Sequence, residues 1–279
     1  MPTSLKAALG FAMAFAMTTQ VRADHYEVFI VAGQSNCDGR GAATALTGPL
    51  EKWAKPQDDV IIAYSCSKLR GPVLGSDGFK PLQPGWSVAP GKNKPKAVPS
   101  GTFGPEVSFG RDMADNLKGK KVALIKYAEG GTSLQKDWNP EVKDRLYPAF
   151  LDFTRKSLKE LKEKGHTYTI RGMIWHQGES DASLTAAEYQ KMLTEFIARV
   201  RADLETPDLP FGIGEVIDNG KRDSILAAQR ATAKDVKGAF LVLAEKLKSS
   251  DGGTHFDAAS QIELGQRFAA GMQKAIREK

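Results

Sequence analysis

Short apolar runs of six to eight residues alternate along this chain with longer stretches in which apolar side chains return at every third or fourth position. The runs at 27–33 (EVFIVAG), 60–65 (VIIAYS), 121–127 (KVALIKY), 169–176 (TIRGMIWH) and 209–216 (LPFGIGEV) are rich in β-branched residues and predict five strands. A shorter run at 239–244 predicts an added edge strand. After Thr185, the residues Tyr189, Leu193, Phe196 and Val200 form one apolar helix face. A further helix opens near Asp257, a suitable N-cap, and carries Ala258, Ile262, Gly265, Phe268, Ala269 and Met272 on its buried stripe. Strands alternating with helices predict βα units on a parallel sheet, an α/β class.

The punctuation between these elements locates the chemistry. Ligands of open parallel sheets bind beyond the carboxyl ends of the strands, so the residues immediately after each strand matter most. Gln34-Ser35-Asn36 comes after the first, residues 129–133 (EGGTS) after the third and 177–181 (QGESD) after the fourth, while 251–255 (DGGTH) precedes the last helix. Four polar, glycine-rich segments thus converge on one sheet edge. Residues 67–100, rich in Gly, Pro and Lys and without a period, are expected to form a long surface loop.

The N-terminus breaks the pattern. Lys6 supplies a positive start, residues 7–17 an apolar stretch, and Val21-Arg22-Ala23 a small-x-small cleavage site, so residues 1–23 are expected to be an export signal. The apolar stretch falls short of the roughly 20 residues a spanning helix needs. The mature chain is therefore expected to be secreted or periplasmic, with no membrane association, and residues 24–279 to form one domain. Loss of Lys6 and Arg22 lowers the formal charge by two, from +6 to +4. With no Arg/Lys-rich run, nucleic acid is a poor partner. Cys37 and Cys66 each fall at or just beyond a strand end and are able to pair in an oxidising compartment, but reduced, buried cysteine is the favoured reading. No metal-binding spacing of Cys or His occurs, and no cofactor is implied.

Acyl transfer by serine needs a hydroxyl, a base, a group that orients the base, and donors for the developing oxyanion. Ser35 sits in a tight turn directly after a buried strand. Of the four histidines, His25 adjoins the cleavage site, His166 lies in a Lys/Glu-rich helix end and His176 closes a strand. His255 alone lies in a glycine-rich loop with a carboxylate, Asp251, four residues before it. Glu106, after Gly104-Pro105, reads as a carboxylate complementing a helix N-terminus.

The segments IVAGQSNCDGRG (30–41), TFGPEVSFGRDMA (102–114), YAEGGTSLQKDW (127–138), IWHQGESDA (174–182) and GGTHFDAASQIELGQRFA (252–269) resemble, in order, the motifs of the sialate O-acetylesterase-like branch of the SGNH hydrolases, which includes carbohydrate esterase family six. The resemblance implies a three-layer α/β/α sandwich on a five-stranded parallel sheet, flavodoxin-like in class, acting as a serine esterase on acetylated carbohydrate or polysaccharide. It makes Ser35 the nucleophile, His255 the base, and the N–H groups of Ser35 and Gly130 with the side-chain amide of Gln177 the oxyanion hole. Gln34, Asn36, Gly131 and Trp138 are the candidate substrate contacts, with Trp138 read either as a stacking platform for a sugar or as a rim aromatic that packs, and Asn36 either as lining the pocket or as holding the Ser35 turn.

One spacing departs from the family pattern, whose orienting acid stands three residues before the histidine, where this chain has Gly252. Asp251 is the favoured acid and Glu179 its competitor. Two alternatives stay open from sequence: another carboxylester hydrolase, such as a lipase or thioesterase, and a non-catalytic polysaccharide-binding protein. The polar loops favour a short acyl group on a polar alcohol.

Overall fold

The computed structural model describes residues 23–66, 69, 73–88 and 98–278. The expected export signal lies outside these residues except for Ala23. Six strands form the parallel body of the sheet: β1 (His25–Gly33), β2 (Gln57–Cys66), β3 (Lys121–Ala128), β4 (Thr167–His176), β5 (Phe211–Gly214) and β6 (Ala239–Val242). Their spatial order is β6-β5-β4-β1-β3-β2. Two short antiparallel segments, Leu74–Gly75 and Lys80–Leu82, pair with β2 and bring the sheet to eight strands. The expected five-stranded sheet is thus larger: the 239–244 run is a full parallel partner of β5, and the 67–100 segment contributes strands.

That segment is also not merely surface. Leu82, Trp86 and Val88 are buried in the same apolar cluster as Phe29, Val31, Tyr64 and Phe109. Three large apolar side chains spaced through a Gly/Pro-rich stretch have no period to reveal them, yet each removes apolar area from water.

Period-two alternation along β1 sends Phe29 and Val31 to one sheet face and Ile30 and Ala32 to the other. Helices α2 (Glu106–Asn116) and α6 (Ala258–Arg277) pack on the first face. The second is covered by α3 (Leu146–Glu163), α4 (Ala186–Asp203) and α5 (Asp223–Asp235). Helix α4 begins on a capping box in which Thr185 and Glu188 satisfy each other's backbone N–H groups.

The register of the three central strands sets the site. Gly33, Ala128 and His176, the last residues of β1, β3 and β4, stand side by side, so the segments after them leave the sheet at one level. Gly33 has φ +147°, and a Cβ there would lie 2.1 Å from the His176 carbonyl oxygen. Only glycine lets β1 end so close to its neighbour and turn sharply. The short helix α1 (Ser35–Asp38) begins two residues later.

Candidate active site

Ser35 is the first residue of α1, and its Oγ lies 2.9 Å from His255 Nε2. His255 Nδ1 lies 2.5 Å from Asp251 Oδ2. The other oxygen of Asp251 accepts the N–H groups of His255 at 2.8 Å and Thr254 at 3.0 Å, and the Ser249 hydroxyl at 3.0 Å. Burial by itself raises the Asp251 carboxyl, but these donors, with the imidazole, outweigh it and hold the group at about 2. Gly252 and Gly253, with φ +82° and +123°, supply the bulge that lets an acid four residues away reach the ring.

Glu179 does not touch the imidazole. Its Oε1 accepts from Asn36 Nδ2 at 2.7 Å and stands 3.8 Å from His176 Nδ1. His176 is buried with its Nε2 donating to the Glu215 carbonyl, and burial foremost lowers its pKa. Asn36 is fully buried as well. It donates to the Thr254 carbonyl at 2.8 Å and accepts the Phe256 N–H at 3.0 Å, so it clasps the histidine loop to the serine turn rather than contacting a ligand.

The assignment of Gln177 needs correction. Its side chain is fully buried, and Nε2 faces Asp181 Oδ2 at 2.6 Å, Thr132 O at 3.0 Å and Gln34 Oε1 at 3.2 Å, while Tyr189 donates to its Oε1. Both amide hydrogens are engaged inside the protein, drawn there by the Asp181 carboxylate, so no donor remains to face an oxyanion. Gln34 has its Oε1 fixed by Gln177 and by the Ser180 N–H. The backbone N–H groups of Ser35 and Gly130 have no acceptor among the described residues. Gly130 adjoins Ser35: a methyl group on it would fall 3.3 Å from Ser35 Cβ and 2.6 Å from Arg40 Nη2. Gly131 is exposed beside it.

Trp138 also needs correction. It is fully buried, donates to the Thr132 hydroxyl at 3.0 Å and meets the Trp175 ring edge-on at 5.0 Å, so it is core under the 129–133 loop, with no face for a sugar. Cys37 and Cys66 are both buried thiols, not a disulfide.

Several residues that carry the site drew little notice from sequence. Lys126, fully buried on β3, donates to the Asp38 and Trp86 carbonyls, each at 2.7 Å, and pairs with Glu106 at 2.9 Å. Glu106, beyond starting α2, is therefore the buried counterion of a lysine under the serine turn. Burial, the largest influence, raises its carboxyl. Asp38 accepts from Tyr64 at 2.6 Å and Arg40 at 2.5 Å, which locks the turn from below. A lysine inside the apolar run VALIKY was the visible signal for this platform.

With this geometry in view, residues 25–274 match the protein family described as "Carbohydrate esterase, sialic acid-specific acetylesterase". A probable carbohydrate esterase of Arabidopsis thaliana is 26% identical over 254 residues, covering 87% of this chain and 88% of that protein. The X-ray structure of an Arabidopsis thaliana protein superposes with TM-score 0.69 at 22% identity, over 91% of this chain and 99% of the other. A carbohydrate acetylesterase from Xanthomonas citri superposes with TM-score 0.58 at 16% identity, over 91% of this chain and 57% of the other, a likeness of fold.

Proposed function

As the chain belongs to the carbohydrate esterase family of sialic acid-specific acetylesterases, we propose that it releases acetate from O-acetylated carbohydrate through an acetyl-enzyme on Ser35. The observation that carries this reading is the unbroken relay from Ser35 Oγ through His255 to Asp251, with contacts of 2.9 and 2.5 Å.

In this mechanism His255 Nε2 takes the Ser35 proton as Oγ attacks the acetyl carbonyl carbon. The carbonyl oxygen, now negative, is held by the N–H groups of Ser35 and Gly130. Asp251 keeps the Nδ1–H tautomer and stabilises the imidazolium. The imidazolium then protonates the ester oxygen of the sugar, which departs as a hydroxyl as the C–O bond breaks and the acetyl-serine forms. Water, deprotonated by the same histidine, attacks the acetyl-serine, and collapse returns Ser35 and acetate. Gly131, exposed beside Gly130, borders this space as a substrate contact, whereas Gln34, buried with its Oε1 held by Gln177 and Ser180, supports the turn.

A panel of acetylated polysaccharides assayed for acetate release, with p-nitrophenyl esters of increasing acyl length, tests the proposal. Acetate release that disappears in Ser35→Ala, with acetyl preferred over long acyl chains, is the expected result. A mutant retaining turnover within about tenfold of wild type would overturn the assignment, because loss of a triad nucleophile costs many orders of magnitude. The leader features of residues 1–23 support export, and Edman sequencing of the protein from its native host should begin at Asp24.

A further inference from the structure

The weakest-looking part of the site is the segment that carries its base. Residues 251–255 hold two consecutive glycines at positive φ and lie at the surface, yet they must fix an imidazole against a serine on another element. The support comes from the loop between β5 and α5. Arg222 Nη1 donates to the Gly253 carbonyl at 2.9 Å and to the Ile217 carbonyl at 3.2 Å, and Nη2 donates to the Thr254 hydroxyl at 3.3 Å. Asn219 Nδ2 adds a second bond to the Gly253 carbonyl at 3.3 Å. From the opposite side, Asn36 takes the Thr254 carbonyl.

Arg222 stands where local rules disfavour it. It is 7% exposed, no carboxylate of a described residue lies within ion-pairing distance, and it occupies the N-cap of α5, where the helix dipole disfavours a cation. A buried guanidinium held only by carbonyls and a hydroxyl is a local violation of the kind expected at functional sites.

We propose that Arg222 is a positioning residue of the esterase reaction, a clamp on Gly253 and Thr254 that keeps His255 aligned with Asp251 and Ser35. The proposal rests on the reading of His255 as the base. Misplacement of a catalytic group by about 1 Å costs roughly 100-fold in rate. Arg222→Ala should therefore lower kcat for p-nitrophenyl acetate by about that factor while KM stays within about twofold. Inactivation by a p-nitrophenyl phosphonate, which reads serine activation directly, should slow in parallel. Arg222→Lys should recover part of the loss, and millimolar guanidinium chloride, but not sodium chloride, should partly restore Arg222→Ala.

Circular dichroism accompanies each variant. If Arg222→Ala does not fold, Arg222→Lys and Thr254→Val carry the test by the same kcat and inactivation measurements. Unchanged kcat and inactivation in the folded variants, alongside an inactive His255→Ala, would overturn the clamp alone. A raised KM with kcat held would make Arg222 a substrate contact and likewise overturn it. Normal turnover by His255→Ala would instead bring down the underlying reading.

Discussion

Asp251 is a half-exposed carboxylate whose depressed pKa arises from four donors of its own loop, which makes it testable in two ways. On the proposed mechanism, Asp251→Asn retains the fold and cuts kcat/KM strongly, since an amide supports neither the Nδ1–H tautomer nor the imidazolium. Glu179→Gln, whose side chain contacts Asn36 and not His255, should have the smaller effect on kcat/KM. The reverse order in the two mutants would return the orienting role to Glu179. The same carboxyl predicts a pH signature. A group lowered from 3.8 to about 2 stabilises the fold fully above its unfolded value, and that stability is lost as pH falls through its folded value. The gap in Tm between wild type and Asp251→Asn should thus be constant above about pH 5 and shrink between about pH 4 and pH 2. A gap independent of pH over that range would mean that the array does not hold the charge.

At the scale of elements, loops after β3 and β4 act as one unit because Gln177 and Asp181 tie them together. Asp181 accepts the Leu134 N–H at 2.7 Å as well as the Gln177 amide, so the 129–133 loop is held through the 177–181 turn. Gln177→Ala removes four buried hydrogen bonds, to Asp181, Thr132, Gln34 and Tyr189, while Asp181 keeps the Leu134 N–H and the Tyr189 hydroxyl keeps the carbonyl of residue 177. A hydrogen bond contributes about 0.5–1.5 kcal/mol net, so loss of the four should lower stability by about 2 kcal/mol or more in urea or thermal unfolding. An oxyanion donor would behave otherwise, with kcat reduced roughly 100-fold or more and Tm unchanged. Unfolding curves measured beside steady-state kinetics separate the two roles.

At the scale of the whole molecule, the Lys126–Glu106 pair joins the central sheet, helix α2, the serine turn and the Trp86 segment at one buried point. Lys126→Met leaves Glu106 uncompensated and should destabilise by about 3–5 kcal/mol, whereas adding Glu106→Gln should recover much of the loss. Equal destabilisation in single and double mutants would show that packing, not charge, governs the junction. Much of this molecule is legible in its sequence. Period two against period 3.6 is a local property, so β1 to β5 and the helices near Thr185 and Asp257 arise from burial of one face or stripe. The convergence of the Ser35 and Gly130 segments is legible for a related reason, since short polar segments after parallel strands emerge at one edge, whereas the roles proposed for Ser35, Gly130, Asp251 and His255 are suggested by the family resemblance. What a side chain does once it arrives there depends on partners distant in sequence. Gln177 turned inward because Asp181 lies within reach, Trp138 turned into the core because Trp175 and the Thr132 hydroxyl receive it, and Leu82, Trp86 and Val88 joined the core where β2 offered an open edge. Asp251 rather than Glu179 meets the imidazole because two glycines at positive φ bend the loop, and Asn36 had already engaged Glu179. Pattern fixes which face of an element is buried, but only the assembled structure decides which of several polar groups within reach of one another form the bonds.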